Sequence, residues 1–518
     1  MMMKRYRKRG ALLALMLALT FLTVGCSGGG ETGEAAAVTL PPVAGGFTAP
    51  ADDSSLTDDG TVSLYLPTAD HQRLIARQED VSLVRGDRNV KPIISALFAA
   101  EADETSAALG GQAELVLSGV QPIEVSGGIC TVNLSASVLA LEYDERYTVL
   151  LALASTLAES TDIRYINLLV ADRALPFDMS RNLPAGSVNA RPGEELPALW
   201  EQMAAKGTPL GGDPAVTPLT STATLYFPLA DGSGFVAEAR NLSFAGQTPA
   251  QLTEGLLSAL SSGAQIAGGT AAMPDLIGCL IEEPTVSDRA NGTRMVTLRF
   301  ADDFPETLSA LGVDFSCLIA CVNWTVTTFI PQVGSVRILL GSVPLYAVSD
   351  GPFGLTTFED GMTLRSNFRD GLRDRAGICL LHGERLTAVS RYPAPALSRD
   401  PAHLLALMMR EPTERERKAG LTQPLPSGLD ESDVLAVGLD RGTLLVNLSA
   451  RFADAVRGMD ETAQRMCCYA MADTLCELMG VSRVRFFWDS VTVDSLGTNF
   501  CWSGEFLLNR SIMENSQG

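Results

Sequence analysis

Alternating and helix-spaced apolar positions divide the chain into one unit written three times. Val62-Ser-Leu-Tyr-Leu-Pro-Thr-Ala-Asp70 and Ala223-Thr-Leu-Tyr-Phe-Pro-Leu-Ala-Asp231 share Leu-Tyr-x-Pro-x-Ala-Asp, a short alternating strand that runs into a turn. Val132-Asn-Leu-Ser135 returns as Val446-Asn-Leu-Ser449 and, more loosely, as Val296-Thr-Leu-Arg299. Ile166-Asn-Leu-Leu-Val170 is matched by Val336-Arg-Ile-Leu-Leu340 and Val484-Arg-Phe-Phe-Trp488. Between the second and third pieces each copy predicts a helix, with Asp144, Asp314 and Asp460 as N-caps placed 22, 22 and 24 residues before the next strand. Apolar positions such as Leu150, Leu151 and Ala154, or Leu318, Cys321 and Val322, recur at helical spacing, so one stripe of each helix faces a sheet. An earlier helix recurs near Lys91 to Ala100, after Thr248-Pro249 and after Asp400-Pro401, where proline suits the first helical position.

This pattern predicts an α/β (α+β) protein of three tandem small two-layer domains, each a mixed sheet packed by two helices. The domains are placed at 59–182, 220–350 and 374–508. Residues 183–220 and 349–373, rich in Gly, Pro and charge, read as linkers or sheet-edge extensions. The length of 518 residues agrees with several cores rather than one.

The N-terminus follows another logic. Lys4, Arg5, Arg7, Lys8 and Arg9 precede an uncharged run from Ala11 to Val24, and Leu22-Thr-Val-Gly-Cys26 resembles a bacterial lipobox. The run is shorter than the roughly 20 residues that cross a bilayer as a helix. Residues 1–25 are therefore expected to be a lipoprotein signal peptide, Cys26 the lipidated residue and 26–58 a flexible tether. Attachment to the membrane would come through the lipid anchor only, on the outer face of the cytoplasmic membrane. Formal net charge is −21, and the first 25 residues hold five basic groups and no acidic one, so the remainder is more acidic still. Such a surface repels phosphate backbones, and no nucleic acid is expected as a partner.

Leu225-Tyr-Phe-Pro-Leu-Ala-Asp231, the amphipathic Leu252-Thr-Glu-Gly-Leu-Leu-Ser-Ala-Leu260 and Val446-Asn-Leu-Ser-Ala-Arg-Phe452, each with the helix and strand that follow, resemble the GerMN-domain family of sporulation and germination lipoproteins, and more distantly the GerMN region of the LpqB group. The third copy departs most, since Ile378-Cys-Leu-Leu-His382 lacks the Tyr and Pro of the first strand. The resemblance implies a compact α/β domain similar to the ring-building motifs of envelope-spanning sporulation complexes. It also implies partners among envelope or sporulation-complex proteins.

Candidate chemistry is sparse. Cys317 and Cys321 lie one helical turn apart and Cys467, Cys468 and Cys476 share the matching helix, but Cys321 and Cys467 stand where the first copy has Leu151, which marks them as small core hydrophobes. The histidines His71, His382 and His403 form no metal or catalytic spacing. Asp70 and Asp231 read as turn residues that bond their own backbone rather than as a calcium or acid/base pair. No catalytic residue, metal ligand or cofactor is nominated, and no enzyme is expected. Alternation along Val484 to Trp488 leaves one face of that strand for solvent, so Phe487, Trp488 and Trp502 are offered as an interaction surface. A lipid-anchored scaffold docking envelope proteins is the leading expectation; a wall-active enzyme or a ligand receptor using interdomain clefts is the alternative.

Overall fold

The computed structural model describes residues 46–52, 56–111, 113–177, 183–265, 269–349 and 351–514. Two units are distinguished, Met1–Phe47 and Thr48–Gly518, and the second holds all the elements that follow. The expected signal peptide, the lipidated Cys26 and the tether up to residue 45 lie outside the described residues.

Repeat 1 comprises the hairpin β1 (Thr57–Pro67) and β2 (Leu74–Val84), helix α1 (Val90–Ala99), strands β3 (Ile123–Ser126) and β4 (Ile129–Leu134), the long α2 (Tyr143–Ser160), β5 (Tyr165–Val170) and the short β6 (Arg173–Ala174). A strap containing α3 (Leu196–Ala204) leads to repeat 2. That repeat holds β7 (Leu219–Pro228), β8 (Phe235–Phe244), α4 (Pro249–Ser261), β9 (Thr285–Asp288), β10 (Arg294–Phe300), α5 (Phe304–Ala310), α6 (Phe315–Phe329), β11 (Val333–Leu340) and β12 (Val343–Pro344). A second strap carries β13 (Ala347–Val348), β14 (Thr356–Thr357), β15 (Met362–Thr363) and a 3₁₀ turn, Arg365–Gly371. Repeat 3 holds β16 (Ala376–His382), β17 (Arg385–Arg391), α7 (Pro401–Met409), α8 (Glu414–Lys418), β18 (Leu421–Thr422), β19 (Val434–Asp440), β20 (Thr443–Leu448), α9 (Ala450–Arg457), α10 (Glu461–Met479), β21 (Arg483–Trp488) and β22 (Phe506–Leu507).

Each repeat pairs an antiparallel hairpin with a mixed sheet, ordered β3-β4-β5-β6, β9-β10-β11-β12 and β19-β20-β21-β22. The parallel pair is the one that flanks the long helix, and Ile166, Val336 and Val484 occupy the same register, opposite Cys130, Val296 and Leu444. That register corrects one sequence match. Counting from these partners, Asn133 and Asn447 correspond to Arg299, so Val132-Asn-Leu-Ser135 aligns with Leu298-Arg-Phe-Ala301, two residues beyond the segment chosen from the pattern. A two-residue slip keeps every side chain on its face, so apolar alternation alone cannot detect it. The Asn side chains have a defined task. Asn133 Oδ1 accepts from Asp172 N–H at 3.1 Å and Asn447 Oδ1 from Ser490 N–H at 2.9 Å, bracing turns whose residues Ala171, Asp172, Asp489 and Ser490 all have positive φ. Repeat 2 uses Gly341 (φ 56°) at that turn and carries no Asn.

The helix starts also differ in part. Asp314 and Asp460 cap α6 and α10, accepting from Cys317 and Ala463 N–H at 2.8 Å each. Asp144 instead lies inside the first turn of α2, whose cap is Glu142, with Glu145 Oε2 accepting from the Glu142 N–H at 2.9 Å.

One bond recurs in all three repeats. A threonine on the long helix accepts from a backbone N–H in the first hairpin strand: Tyr65 to Thr156 Oγ1 at 2.9 Å, Tyr226 to Thr325 Oγ1 at 3.1 Å and Cys379 to Thr474 Oγ1 at 3.1 Å. Each such bond contributes about 1 kcal/mol net, and an unmet buried N–H would cost more. The long helix therefore covers the outer edge of the first hairpin strand.

The straps are structural rather than loose. Arg365, 1 % exposed, lies in the second strap and reaches back between repeats 1 and 2. Its Nε donates to Glu124 Oε2 on β3 at 3.0 Å, Nη1 to Thr328 Oγ1 at 2.7 Å and Nη2 to the Tyr226 hydroxyl at 3.2 Å, while the guanidinium lies 3.7 Å from the Trp324 ring centroid. A second junction joins repeats 1 and 3. Arg88 bonds the fully buried Asp374 and pairs with Asp162 at 2.7 Å, and Arg399 also reaches Asp162. Burial pushes the Asp162 carboxyl up, but the bonds and charges of Arg88 and Arg399 prevail and hold it at about 2. Two glycines permit the closest approaches: a Cβ at Gly127 or Gly186 would stand 2.3 Å from the carbonyl oxygen of Ala237 or Thr222 on repeat 2. Pro50 is buried and its carbonyl accepts from Asn447 Nδ2 at 3.3 Å, so the expected tether does not extend as far as residue 58.

Breaking the Arg365 site should be expensive. Arg365→Leu leaves the buried Glu124 with only the more distant Arg369, 4.0 Å away, and is expected to lower stability by about 3–5 kcal/mol, read as the shift in urea unfolding midpoint, with Glu124→Leu in the same chain recovering part of the loss. A single Arg365→Leu midpoint equal to wild type would contradict this.

Candidate functional site

The aromatic surface expected near the C-terminus is absent. Phe487 and Trp488 are each 2 % exposed and Trp502 0 %, so the three are corrected from surface to core. The chain after β21 folds back, and Trp502 packs edge-on to Trp488 at 4.9 Å with its Nε1 donating to Gln464 Oε1 at 3.0 Å. Phe452 of α9 covers Trp488 from another side at 5.9 Å. Phe487, on the opposite face, neighbours Asn447, and the segment around Pro50 lies on that face. Alternation along one strand identifies two faces but not what arrives from distant sequence to cover them.

The turn aspartates bond locally. Asp70 Oδ1 accepts from the Thr68 hydroxyl at 2.6 Å, and Asp231 Oδ1 accepts from Ser233 N–H at 3.0 Å and its hydroxyl at 2.7 Å. The nine cysteines after Cys26 are free thiols; seven are buried, Cys279 is intermediate and Cys501 exposed. Burial pushes the seven buried thiols up, Cys467 to about 12, which leaves them protonated and poorly nucleophilic. Among the described residues no group of three or more His, Cys, Asp or Glu is placed to hold a metal ion. No single described helix is long and apolar enough to cross a membrane; α5 and α6 pass only as a pair bent by 110°, and α6 is buried.

Concavities among the described residues include the following two. One, of about 270 Å³, lies between repeats 1 and 2, lined by Tyr143, Arg146, Arg173, Gly292 and Gln332 among others. The other, of about 550 Å³, lies within repeat 1 beside β2 and the end of α1.

The hairpins' second strands differ in how their outer edges are covered. On β8, Phe235 O accepts from Arg373 N–H at 2.8 Å and Ala237 N–H donates to Ser126 Oγ at 2.9 Å. On β17, Leu386 exchanges bonds with Ile512 and Glu514 at 2.9 and 2.7 Å. On β2, Val84 turns its N–H and C=O to the Asn89 side chain at 2.7 and 3.0 Å, which sets the parity of the strand. Ala76, Gln78, Asp80 and Ser82 therefore turn their backbone groups outward, and these make no hydrogen bond to any described residue. All four residues are exposed.

Residues 382–494 match a family model described as Germane, sporulation and spore germination. The match falls within the third repeat. The match starts at His382, the last residue of β16, so the strand that departs from the Tyr-Pro pattern lies almost wholly outside it, and the other two repeats share the topology of the third. Among solved structures, the tandem GerMN domains of the sporulation protein GerM from Bacillus subtilis are 14 % identical, covering 57 % of this chain and 100 % of that one with a TM-score of 0.21. A putative lipoprotein from Clostridium perfringens is 20 % identical, covering 23 % of this chain and 79 % of that one with a TM-score of 0.16. No curated protein matches the chain.

Sequence reasoning missed both Arg365 and the β2 edge. The first sits in a polar strap that reads as a linker. The second was detectable, because aligning the hairpins on Pro67 and Pro228 sets Glu79 against Arg240.

Within the third repeat, Asp473 is 1 % exposed; its Oδ1 accepts from Asn509 N–H at 2.7 Å and its Oδ2 has no partner. Burial pushes its carboxyl from 3.8 up to about 6, against the opposite pull of the Asn509 N–H and with the Glu477 charge adding to the rise. A raised folded pKa means that the stability it confers is complete below 3.8 and lost as pH rises through about 6. Asp473→Asn should therefore be more stable than wild type above pH 6, by on the order of 2 kcal/mol, with the difference vanishing near pH 4 in thermal melts. A pH-independent difference would refute the assignment.

Proposed function

We propose that this protein is a lipid-anchored extracytoplasmic scaffold that docks envelope proteins in sporulation, germination or cell-wall assembly. Cys26 would hold it on the outer face of the cytoplasmic membrane. The observation that carries the reading is the combination of three topologically alike repeats locked by buried ion pairs with a long exposed strand edge on β2 whose outward backbone groups meet no described residue. Rigid repeats hold their surfaces in fixed relation, so a partner that engages more than one gains effective concentration without paying to order them. An unpaired edge supplies N–H and C=O groups that another chain can meet. The surface charge favours neutral or basic protein faces over anionic polymers.

A second reading, a ligand receptor, draws on the 270 Å³ cleft between repeats 1 and 2. Arg146 and Arg173 line it and no carboxylate does, which suits a small anion.

Two measurements test the scaffold reading and its anchor. Immobilised protein is expected to retain envelope proteins in a salt-sensitive manner and to leave wall fragments intact; turnover of wall fragments with no protein retained would replace the scaffold by an enzyme. Independently, Cys26→Ala is expected to release the chain from the membrane fraction into the medium or to leave an uncleaved precursor. Full membrane retention of a processed variant would refute lipid anchoring.

A further inference from the structure

The hairpins of the three repeats can be compared residue by residue, because the Thr156, Thr325 and Thr474 bonds set Tyr65, Tyr226 and Cys379 equivalent. The strand pairing then makes Leu74, Phe235 and Leu386 equivalent, opposite Pro67, Pro228 and Leu381. Five residues further on stand Glu79, Arg240 and Arg391.

In repeats 2 and 3 this position is an arginine that spans from the strand to the segment after the first helix. Arg240 Nη1 donates to Ala259 O at 3.1 Å and Ser262 Oγ at 2.9 Å, and its Nη2 donates to Gly263 O at 2.9 Å, so a guanidinium meets the C-terminal carbonyls of α4. Arg391 Nη2 donates to Glu416 Oε2 at 3.0 Å, on α8. A helix leaves its last carbonyls without intrahelical partners and carries partial negative charge there, so a cation is the complementary group.

Repeat 1 carries the same ion pair with its ends exchanged, since Arg240 pairs with Glu238 whereas here Glu79 pairs with Arg77. Glu79 replaces the arginine, and α1 has no basic residue in its last turn. The space that Arg240 crosses in repeat 2 is here the 550 Å³ groove, floored by Ala96, Ala99 and Ala100. Four carboxylates line it, those of Glu79, Asp80, Glu101 and Asp103, against the single guanidinium of Arg77. Arg77 is already engaged, bonding Glu101 O at 2.8 Å and pairing with Glu79 at 2.9 Å and Asp103 at 3.3 Å. The groove runs beside the β2 edge, where Ala76, Gln78, Asp80 and Ser82 present their free backbone groups.

We propose that this groove is a docking site for an extended basic segment of a partner protein, which adds as a strand to the β2 edge and places an arginine or lysine against Glu79 and the end of α1. The partner's cation would stand where Arg240 stands in repeat 2. Backbone bonds along the edge give affinity, and the alternate side chains entering the groove give the preference for positive charge. This deepens the scaffold reading and rests on it.

The test uses the full chain and a fluorescein-labelled nonapeptide of alternating Arg and Thr, followed by fluorescence polarisation. The expected result is saturable binding that the Glu-Thr counterpart lacks. Methylating the alternate backbone amides that would face β2 preserves the peptide's charge and should weaken binding at least tenfold. Glu79→Arg reverses the charge at this position and should abolish binding; because it also removes the partner of Arg77, Glu79→Gln, expected to weaken binding at least tenfold with a thermal midpoint near wild type, separates loss of charge from loss of fold. Equal binding of the methylated peptide, or unchanged binding to Glu79→Arg, would reduce the interaction to diffuse attraction by an acidic protein and overturn the site. If the peptide fails to bind while wild type and Glu79→Arg retain the same envelope proteins, the groove is refuted and the scaffold reading stands. If no envelope protein is retained either, both fall.

Discussion

A buried guanidinium fixes the arrangement of this molecule. Arg365 comes from a strap with little regular structure, yet its charge is met by a carboxylate from repeat 1, by a hydroxyl from each of two elements of repeat 2 and by the face of Trp324. A charge taken out of water at such a place is tolerated only with close pairing and full hydrogen bonding, and removing one partner strands the other. The strap, β3, β7 and α6 are thereby obliged to meet in one geometry. The Arg88–Asp374–Asp162 junction imposes the same demand between repeats 1 and 3.

These junctions add direction to the burial of apolar surface. Repeats 1 and 2 share one continuous apolar core and repeat 3 has its own, at roughly 1.5–3 kcal/mol for each fully buried Leu, Val or Phe, but apolar contact alone does not fix a precise orientation. Orientation comes from polar groups, because ion pairs and hydrogen bonds have directions and apolar contacts do not. Asn167, Ser187 and Thr224 continue the pattern at the face between repeats 1 and 2, with Asn167 Nδ2 donating to Thr224 Oγ1 at 2.9 Å and Ser187 Oγ donating to Asn167 Oδ1 at 2.9 Å. A body held in this way can present a binding edge at a fixed position.

The repeats also differ where they are used. The first hairpin strand is sealed in every copy by the long helix and its threonine. The second is met at its start in repeat 2 by the strap and Ser126 and in repeat 3 by the C-terminal segment, whereas in repeat 1 the outward groups from Ala76 to Ser82 meet no described residue. Duplicated domains that share one scaffold can lose an internal contact in one copy without losing the fold, and the vacated groups become available to another chain.

The sequence by itself determined the repeat unit, its strand and helix order and the apolar identity of most cysteines, because those depend on local periodicity: Leu64 and Leu66, or Leu225 and Phe227, have to be buried whatever surrounds them. Periodicity is blind to a shift of two residues, hence the misplacement of Val296 against Val132. It is equally blind to contacts between distant segments. Whether Phe487, Trp488 and Trp502 face solvent depended on Phe452 and on the chain around Pro50. Whether residues 349–373 were linker or lock depended on Glu124, more than two hundred positions away from Arg365. Tertiary structure alone decided these points, since the energy of a buried charge or an uncovered edge depends on which groups lie within a few ångströms, and chain separation carries no information about that distance.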